Sequence, residues 1–175
     1  ISVVDEISNN DFDGVADQTV SVSTTDSDTA GFTVIESGGS STITEAASTD
    51  TFTVVLDAQP ATDVVISVVS SDTGEATVSA GTLTFTNGNW DTPQTVTITG
   101  IDDDLIDSTQ TSTITISVVD EISNNDFDGV ADQTVSVSTT DNDTAGFTVA
   151  QSGGSTSVAE SGSTDTFTVV LDAQP

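Results

Sequence analysis

Residues 1–60 of this chain recur, with nine substitutions, as residues 116–175, which sets a period of 115 residues (116 − 1). Ile1-Ser2-Val3-Val4-Asp5-Glu6 returns as Ile116-Ser117-Val118-Val119-Asp120-Glu121, and the differences include Ser27/Asn142, Ile35/Ala150 and Glu36/Gln151. A repeat of this kind specifies a string of like units, so the question becomes what one unit folds into and how units join. Cut at the repeated linker, 30–144 is one complete β-sandwich unit. Residues 1–29 are then the closing strands of a preceding unit and 145–175 the opening strands of a following one. The chain begins inside a strand-like run and stops where the first copy continues into another strand, so it reads as an excerpt of a longer protein.

Within the unit, Val, Ile, Leu and Phe alternate with Thr and Ser in short runs bounded by Gly, Asn, Asp or Pro, the period-two signature of half-buried strands. The runs are 32–35, continuing past Gly38-Gly39 through 42–44, then 51–56, 64–69, 82–86 (preceded by a short 76–78), 95–99, 112–118 and 134–138. No stretch has helical spacing. About seven short strands in about 100 residues predict an all-β fold, an immunoglobulin-like antiparallel β-sandwich repeated in tandem. A hydrophobic content of 34% suits a thin core with one wet face per strand, and the strict alternation argues against disorder. Neither partial unit is expected to be stable alone, because two-stranded pieces bury too little surface.

The chain carries 29 acidic residues and no Lys, Arg or His. Clustered carboxylates therefore have no cationic side chain to pair with, and only salt, protons or bound cations can relieve them. Of the acids, 23 are Asp and six are Glu, a bias toward turns and metal loops. Such a surface repels nucleic acid and anionic membranes. With no His, Cys, Lys, Arg or Tyr, an enzyme is not expected; only a carboxylate pair of the glycosidase kind remains, and nothing predicts a cleft. The absence of cysteine excludes disulfides and thiolate metal sites. No signal-peptide pattern is present, and no apolar run approaches the roughly 20 residues of a membrane helix.

Successive loops of an up-and-down traverse fall at opposite ends of a sandwich, which sorts the acids by pole. The C-terminal pole collects Glu45, Asp72, Glu75, Asp102, Asp103, Asp104, Asp107, Asp141 and Asp143; Glu160 is the counterpart of Glu45 in the next copy. The N-terminal pole collects Asp57, Asp91, the acids from Asp120 to Asp132 and the linker acids Asp26 and Asp28. Carboxylate-rich ends thus face each other across every junction.

Two loops carry metal-like patterns. Asn124, Asp126, Asp128, Gly129 and Asp132 stand at positions 1, 3, 5, 6 and 9 of a calcium loop of the EF-hand type, with the Val130 carbonyl at position 7. Position 12 is Val135, so a bidentate acid must come from elsewhere, with Glu121 as the candidate; Asp120 is counted among the acids of the same loop. The first copy repeats the set as Asn9, Asp11, Asp13, Gly14, Val15 and Asp17. The alternative is a polar hairpin loop that uses Asp for turn chemistry. The second pattern is Ile101-Asp102-Asp103-Asp104-Leu105-Ile106-Asp107. Two like charges about 4 Å apart at an effective dielectric near 20 repel by roughly 4 kcal/mol, and a divalent ion between them reverses the sign. Together with Glu45, Asp141 and Asp143 this loop has the acids for one or two cations; the alternative is a solvated acidic loop. Trp90, after Asn87-Gly88-Asn89, either caps the core or stacks on a ligand, and the Thr-x-Thr runs are either a wet sheet face or an ice-binding one.

Ala80-Gly81-Thr82-Leu83-Thr84-Phe85, Asn89-Trp90, Pro93-Gln94-Thr95-Val96-Thr97-Ile98 and Ile101-Asp102-Asp103-Asp104 resemble a Calx-β-type domain. They are similar in particular to the tandem extender repeats of giant secreted RTX-type bacterial adhesins, including ice-binding ones. The linkers Asp26-Ser27-Asp28 and Asp141-Asn142-Asp143, each followed by Thr-Ala-Gly-Phe-Thr-Val, suit such arrays. The resemblance implies calcium-bound Ig-like sandwiches that stiffen an adhesin and hold its binding domains away from the cell. It maps Glu45, Asp102, Asp103, Asp104 and the linker acids onto calcium-binding positions. The chain departs from that family's name in lacking G-G-x-G-x-D nonapeptides. The expectation is therefore an extracellular, monomeric rod at a bacterial surface, with calcium ions and neighbouring repeats as its partners and no nucleic acid or membrane insertion. A sugar- or ice-binding sandwich is the alternative, and a calcium sensor a third reading that a near-identical tandem array disfavours.

Overall fold

A computed structural model describes Ile1, Ser2, Val4, Ile7 and residues 10–174. Nine strands build the sandwich: β1 (Phe32–Glu36), β2 (Ser41–Thr44), β3 (Thr49–Leu56), β4 (Val64–Ser70), β5 (Ala76–Val78), β6 (Thr82–Phe85), β7 (Gln94–Gly100), β8 (Gln110–Val118) and β9 (Gln133–Thr140). β10 (Phe147–Gln151) and β11 (Phe167–Leu171) form a separate two-stranded sheet. One sandwich layer has the order β1-β3-β7-β5 and the other β2-β9-β8-β4-β6. Short 3-10 turns, each of three residues, are the only helical elements among the described residues. The fold is an all-β, immunoglobulin-like sandwich.

Alternation decides the core. On β3, Phe52, Val54 and Leu56 point inward while Thr51, Thr53 and Val55 stay partly exposed. Val64, Ile66 and Val68 of β4, Val96 and Ile98 of β7, Ile114 and Ile116 of β8, and Val135 and Val137 of β9 complete the interior. Trp90 packs against its edge, and its carbonyl accepts the Leu56 N–H at 3.1 Å.

Two features depart from a plain antiparallel sandwich. The first strand-like run is broken at Ser37–Gly39, where Gly38 and Gly39 have φ of +67° and +80°, a conformation natural only to glycine. This break lets the chain leave β1 in one layer and enter β2 in the other. Asp50 fastens the crossing: its carboxylate accepts from Ser37 Oγ, from the Thr51 N–H at 2.7 Å and from the Thr42 N–H at 3.2 Å. In consequence β2 pairs with β9 in parallel, Ser41 opposite Val137 and Thr44 opposite Thr140, where the expected antiparallel sandwich has only antiparallel neighbours. Alternation records which face is buried, not the direction of the neighbour.

The second feature is a close approach. A Cβ on Gly100, the last residue of β7, would overlap the Thr44 carbonyl oxygen. Overpacking against backbone cannot be relieved by a rotamer change. Gly100→Ala is therefore expected to destabilise the unit by roughly 2 kcal/mol or more and to displace Glu45, the residue after Thr44. Denaturant unfolding of the variant beside the parent checks this.

The segments on either side of the sandwich show how strongly context governs these sequences. β10 and β11 pair in the register of β1 and β3, Phe147 opposite Leu171 as Phe32 is opposite Leu56. Their inner face is bare: Phe147 is 66% exposed where Phe32 is 3%. Residues 18–25 are identical to β9 yet form no strand, having no neighbours to complete a ladder.

Candidate metal centre

Three loops and the outgoing linker meet at the C-terminal pole. Glu45 follows β2, Glu75 immediately precedes β5, Asp107 lies between β7 and β8, and Asp141 and Asp143 follow β9. Carboxylate oxygens of Glu45, Glu75 and Asp107 all lie within 4.8 Å of one another, and so do those of Glu45, Asp141 and Asp143. Glu45 belongs to both groups and is the residue that joins them.

Two of these acids are buried, and Asp107, Asp141 and Asp143 are half-buried. Glu45 is 1% exposed and Glu75 8%. Buried carboxylates are ordinarily paired or fully hydrogen-bonded. Here Glu75 Oε2, Asp107 Oδ1 and Asp143 Oδ2 are buried with no hydrogen-bond partner, and the sequence has no cationic side chain to offer.

What the chain does provide is orientation. The Asn142 N–H donates to Glu45 Oε2 at 3.2 Å, and Asn142 Nδ2 donates to Asp102 Oδ1 at 2.9 Å. Asp141 Oδ2 accepts the N–H groups of Asp107 and Ser108 at 3.1 and 3.0 Å, while its Oδ1 accepts from Asp143 N at 2.7 Å. The linker is thereby stitched to the β7–β8 loop. Asp103 Oδ1 turns back to accept the Leu105 N–H at 2.7 Å, and Asp72 Oδ1 accepts the Gly74 N–H at 2.9 Å just before Glu75.

Electrostatics follow from burial. Desolvation raises the pKa of Glu45, and Asp141, Asp103 and Asp107 push it further up against the opposing Asn142 N–H. Desolvation also raises Glu75, helped by Asp107, Glu45, Asp103 and Asp72. Asp143 rises by desolvation and by the charges of Asp141, Asp104, Asp102 and Asp103. Asp141 moves the other way because N–H donors, first that of Asp143, stabilise its charge; hydrogen bonds led by Ser37 do the same for Asp50.

A raised carboxylate pKa means the folded state holds protons more tightly, so the stability it contributes is present at low pH and lost as pH rises through the folded value. Metal-free protein is therefore expected to melt higher as pH falls from neutral toward the ordinary Glu value of 4.5. Below the ordinary Asp value of 3.8 that gain reverses, as Asp50 and Asp141, whose pKa values are lowered, become protonated. Calorimetry on dialysed protein across this range tests the sign.

The other candidate residues are placed differently. Asp102, Asp103 and Asp104 border the cluster without entering either three-carboxylate group. In the loop between β8 and β9, Asn124 is buried, and its Oδ1 accepts the Asp126 N–H at 2.8 Å. Phe127 is 2% exposed and plugs the core; Val130 packs beside it. Asp120, Glu121, Asp126, Asp128 and Asp132 are all exposed. They form no convergent group of three acids among the described residues. Asn124 Oδ1 caps the loop and Phe127 anchors it in the core, which leaves the acids of the segment on its solvent side. In the first copy Asn9 lies outside the described residues. Asp11, Asp13, Val15 and Asp17 are exposed, and Gly14 repeats the positive φ of Gly129, +78° against +76°. Asp26 accepts the Asp28 N–H at 3.0 Å, and the two line a shallow recess with Asp126 at the N-terminal pole. Glu160 is exposed. Sequence reasoning missed Asn142, whose only signal is that Ser27 replaces it in the other linker.

No family profile and no curated protein matches the sequence. Among solved structures, the chain is similar to the apo-form Calx CBD1 domain, at 20% identity over 65% of this chain and 99% of that one, with a TM-score of 0.45. It is also similar to calcium-binding domain CBD12 of CALX1.1, at 21% identity over 66% and 49%, TM-score 0.45. The E. coli chaperone DraB overlaps at 10% identity over 66% and 59%, again with a TM-score of 0.45. Overlaps of this size assign neither family nor function.

Proposed function

We propose that the chain is a structural extender segment of a large bacterial cell-surface adhesin, stiffened by calcium held at the C-terminal pole of each repeat and at the linker. The observation that carries the metal reading is the set of buried, unpartnered carboxylate oxygens on Glu75, Asp107 and Asp143 around the shared Glu45. An all-oxygen, carboxylate-rich donor set suits a hard divalent ion, and calcium accepts the irregular geometry that loops supply. Glu45, Glu75 and Asp107 would hold one ion; Glu45, Asp141 and Asp143 would hold a second. The second pair of acids sits on the linker, so an ion there ties the exit of one repeat to its own core.

The extender role rests on the tandem repeat, the lack of His, Cys, Lys, Arg and Tyr and the sequence resemblance to adhesin arrays. Calcium titration with calorimetry and solution scattering tests the reading. Binding should raise the melting temperature and lengthen the particle toward a straighter rod. Unchanged melting and unchanged scattering on adding calcium would sink it.

A further inference from the structure

We infer that consecutive repeats touch through a defined joint, in which the β7–β8 loop of one repeat docks on the turn of the next that corresponds to the β3–β4 turn here. In this chain the Gln174 N–H donates to the Asp104 carbonyl oxygen, and Leu105 and Gln174 form a parallel backbone bridge. Asp104 belongs to the nine-stranded sandwich, whereas Gln174 lies just after β11, beyond the linker. Asp104, Leu171, Asp172, Ala173 and Gln174 line a common recess between them.

The same docking turn exists in the complete repeat. Asp57-Ala58-Gln59-Pro60 reproduces Asp172-Ala173-Gln174-Pro175. Its shape is preset: the Asp57 N–H donates to the Gly31 carbonyl at 2.9 Å, and Thr33 Oγ1 donates to Asp57 Oδ1 at 2.7 Å. Asp172 makes the same pair of bonds with Gly146 and Thr148, at 3.0 and 2.9 Å. A Cβ on Gly31 would meet Asp57 Oδ2 at 2.7 Å, so glycine is needed for the clamp to close. The turn is thus built identically whether docked or not, which lowers the ordering cost of docking. At the first turn Gln59 is exposed, and its backbone N–H donates to no described residue. Residues 1–29 correspond to 116–144 and contain no counterpart of the β7–β8 loop. The partner that fits the Ala58–Gln59 turn is therefore the Asp104–Leu105 loop of another repeat of this kind.

The chain has no cysteine, so an introduced pair reports cleanly. Leu105→Cys with Gln174→Cys places thiols at the bridged positions. Leu105→Cys with Ser152→Cys is the control, because Ser152 lies at the far end of the β10–β11 pair, roughly 17 Å or more from Gln174 at strand rise. Both variants keep the same tether. Oxidation at high dilution, in calcium and in metal-free buffer, is read as intramolecular disulfide by mass and mobility. The joint predicts that the bridged pair closes roughly tenfold faster than the control, since a flexible tether alone gives both pairs similar effective concentrations. Equal rates for the two pairs in both buffers would overturn it. An advantage in both buffers supports a joint independent of the ion, and an advantage only in calcium supports one the ion sets. Whether calcium binds is measured by the titration, so the joint can fail while that reading stands.

Discussion

Stripping calcium from this chain should lower its melting temperature by more than about 10 °C. At affinities of about 10⁻⁴–10⁻³ M, typical of extracellular calcium modules, ~10 mM calcium stabilises the folded state by about 1.4–2.7 kcal/mol per ion. Two ions give about 3–5 kcal/mol, and a domain near 100 residues shifts by about 4–8 °C per kcal/mol. The size of the effect has a structural cause. Without the ion, Glu45 and Glu75 are buried among like charges, with no Lys, Arg or His anywhere to answer them. Calorimetry with and without a chelator at neutral pH checks the shift. Magnesium is expected to replace calcium poorly, since it demands near-octahedral geometry and dehydrates reluctantly.

Glu45→Gln should reverse sign with the metal. In calcium it removes the one carboxylate common to both groups, so most of the ~3–5 kcal/mol of ion-linked stability is expected to vanish. In metal-free buffer it removes a desolvated charge that Asp141, Asp103 and Asp107 repel, and the variant should melt higher than the parent. The amide is nearly isosteric and can still accept from the Asn142 N–H. A structural role alone would destabilise the variant in both buffers. Two melting curves per protein, four in all, separate the cases.

The strands were legible because alternation of Val, Ile and Phe with Thr and Ser writes the buried face directly into the sequence. Each run read from the chain corresponds to an observed strand within a residue or two, with 76–78 becoming β5. Loop parity likewise anticipated that Glu45, Glu75, Asp107, Asp141 and Asp143 would share a pole. Three things were not legible. The parallel pairing of β2 with β9 depends on a layer crossing at Gly38-Gly39, which alternation does not encode. The spacing around Asn124 matches a calcium loop, but spacing is silent about Phe127, whose burial anchors that loop in the core. The fate of residues 18–25, a strand in one copy and not in the other, is set by neighbours and not by local preference.

The parallel β2–β9 pair has a mechanical consequence. A pull along the array enters the repeat before β1 and leaves it after β9, at opposite poles. β2 is then drawn one way and β9 the other, along a ladder that runs parallel to the force. Its hydrogen bonds are loaded together in shear and cannot open one after another like a zipper. Forced unfolding is governed by the height of the unfolding barrier, and a ladder loaded in shear raises that barrier. The short Ser41–Thr44 strand is small in the fold, yet it is the clasp that load along the chain would have to break.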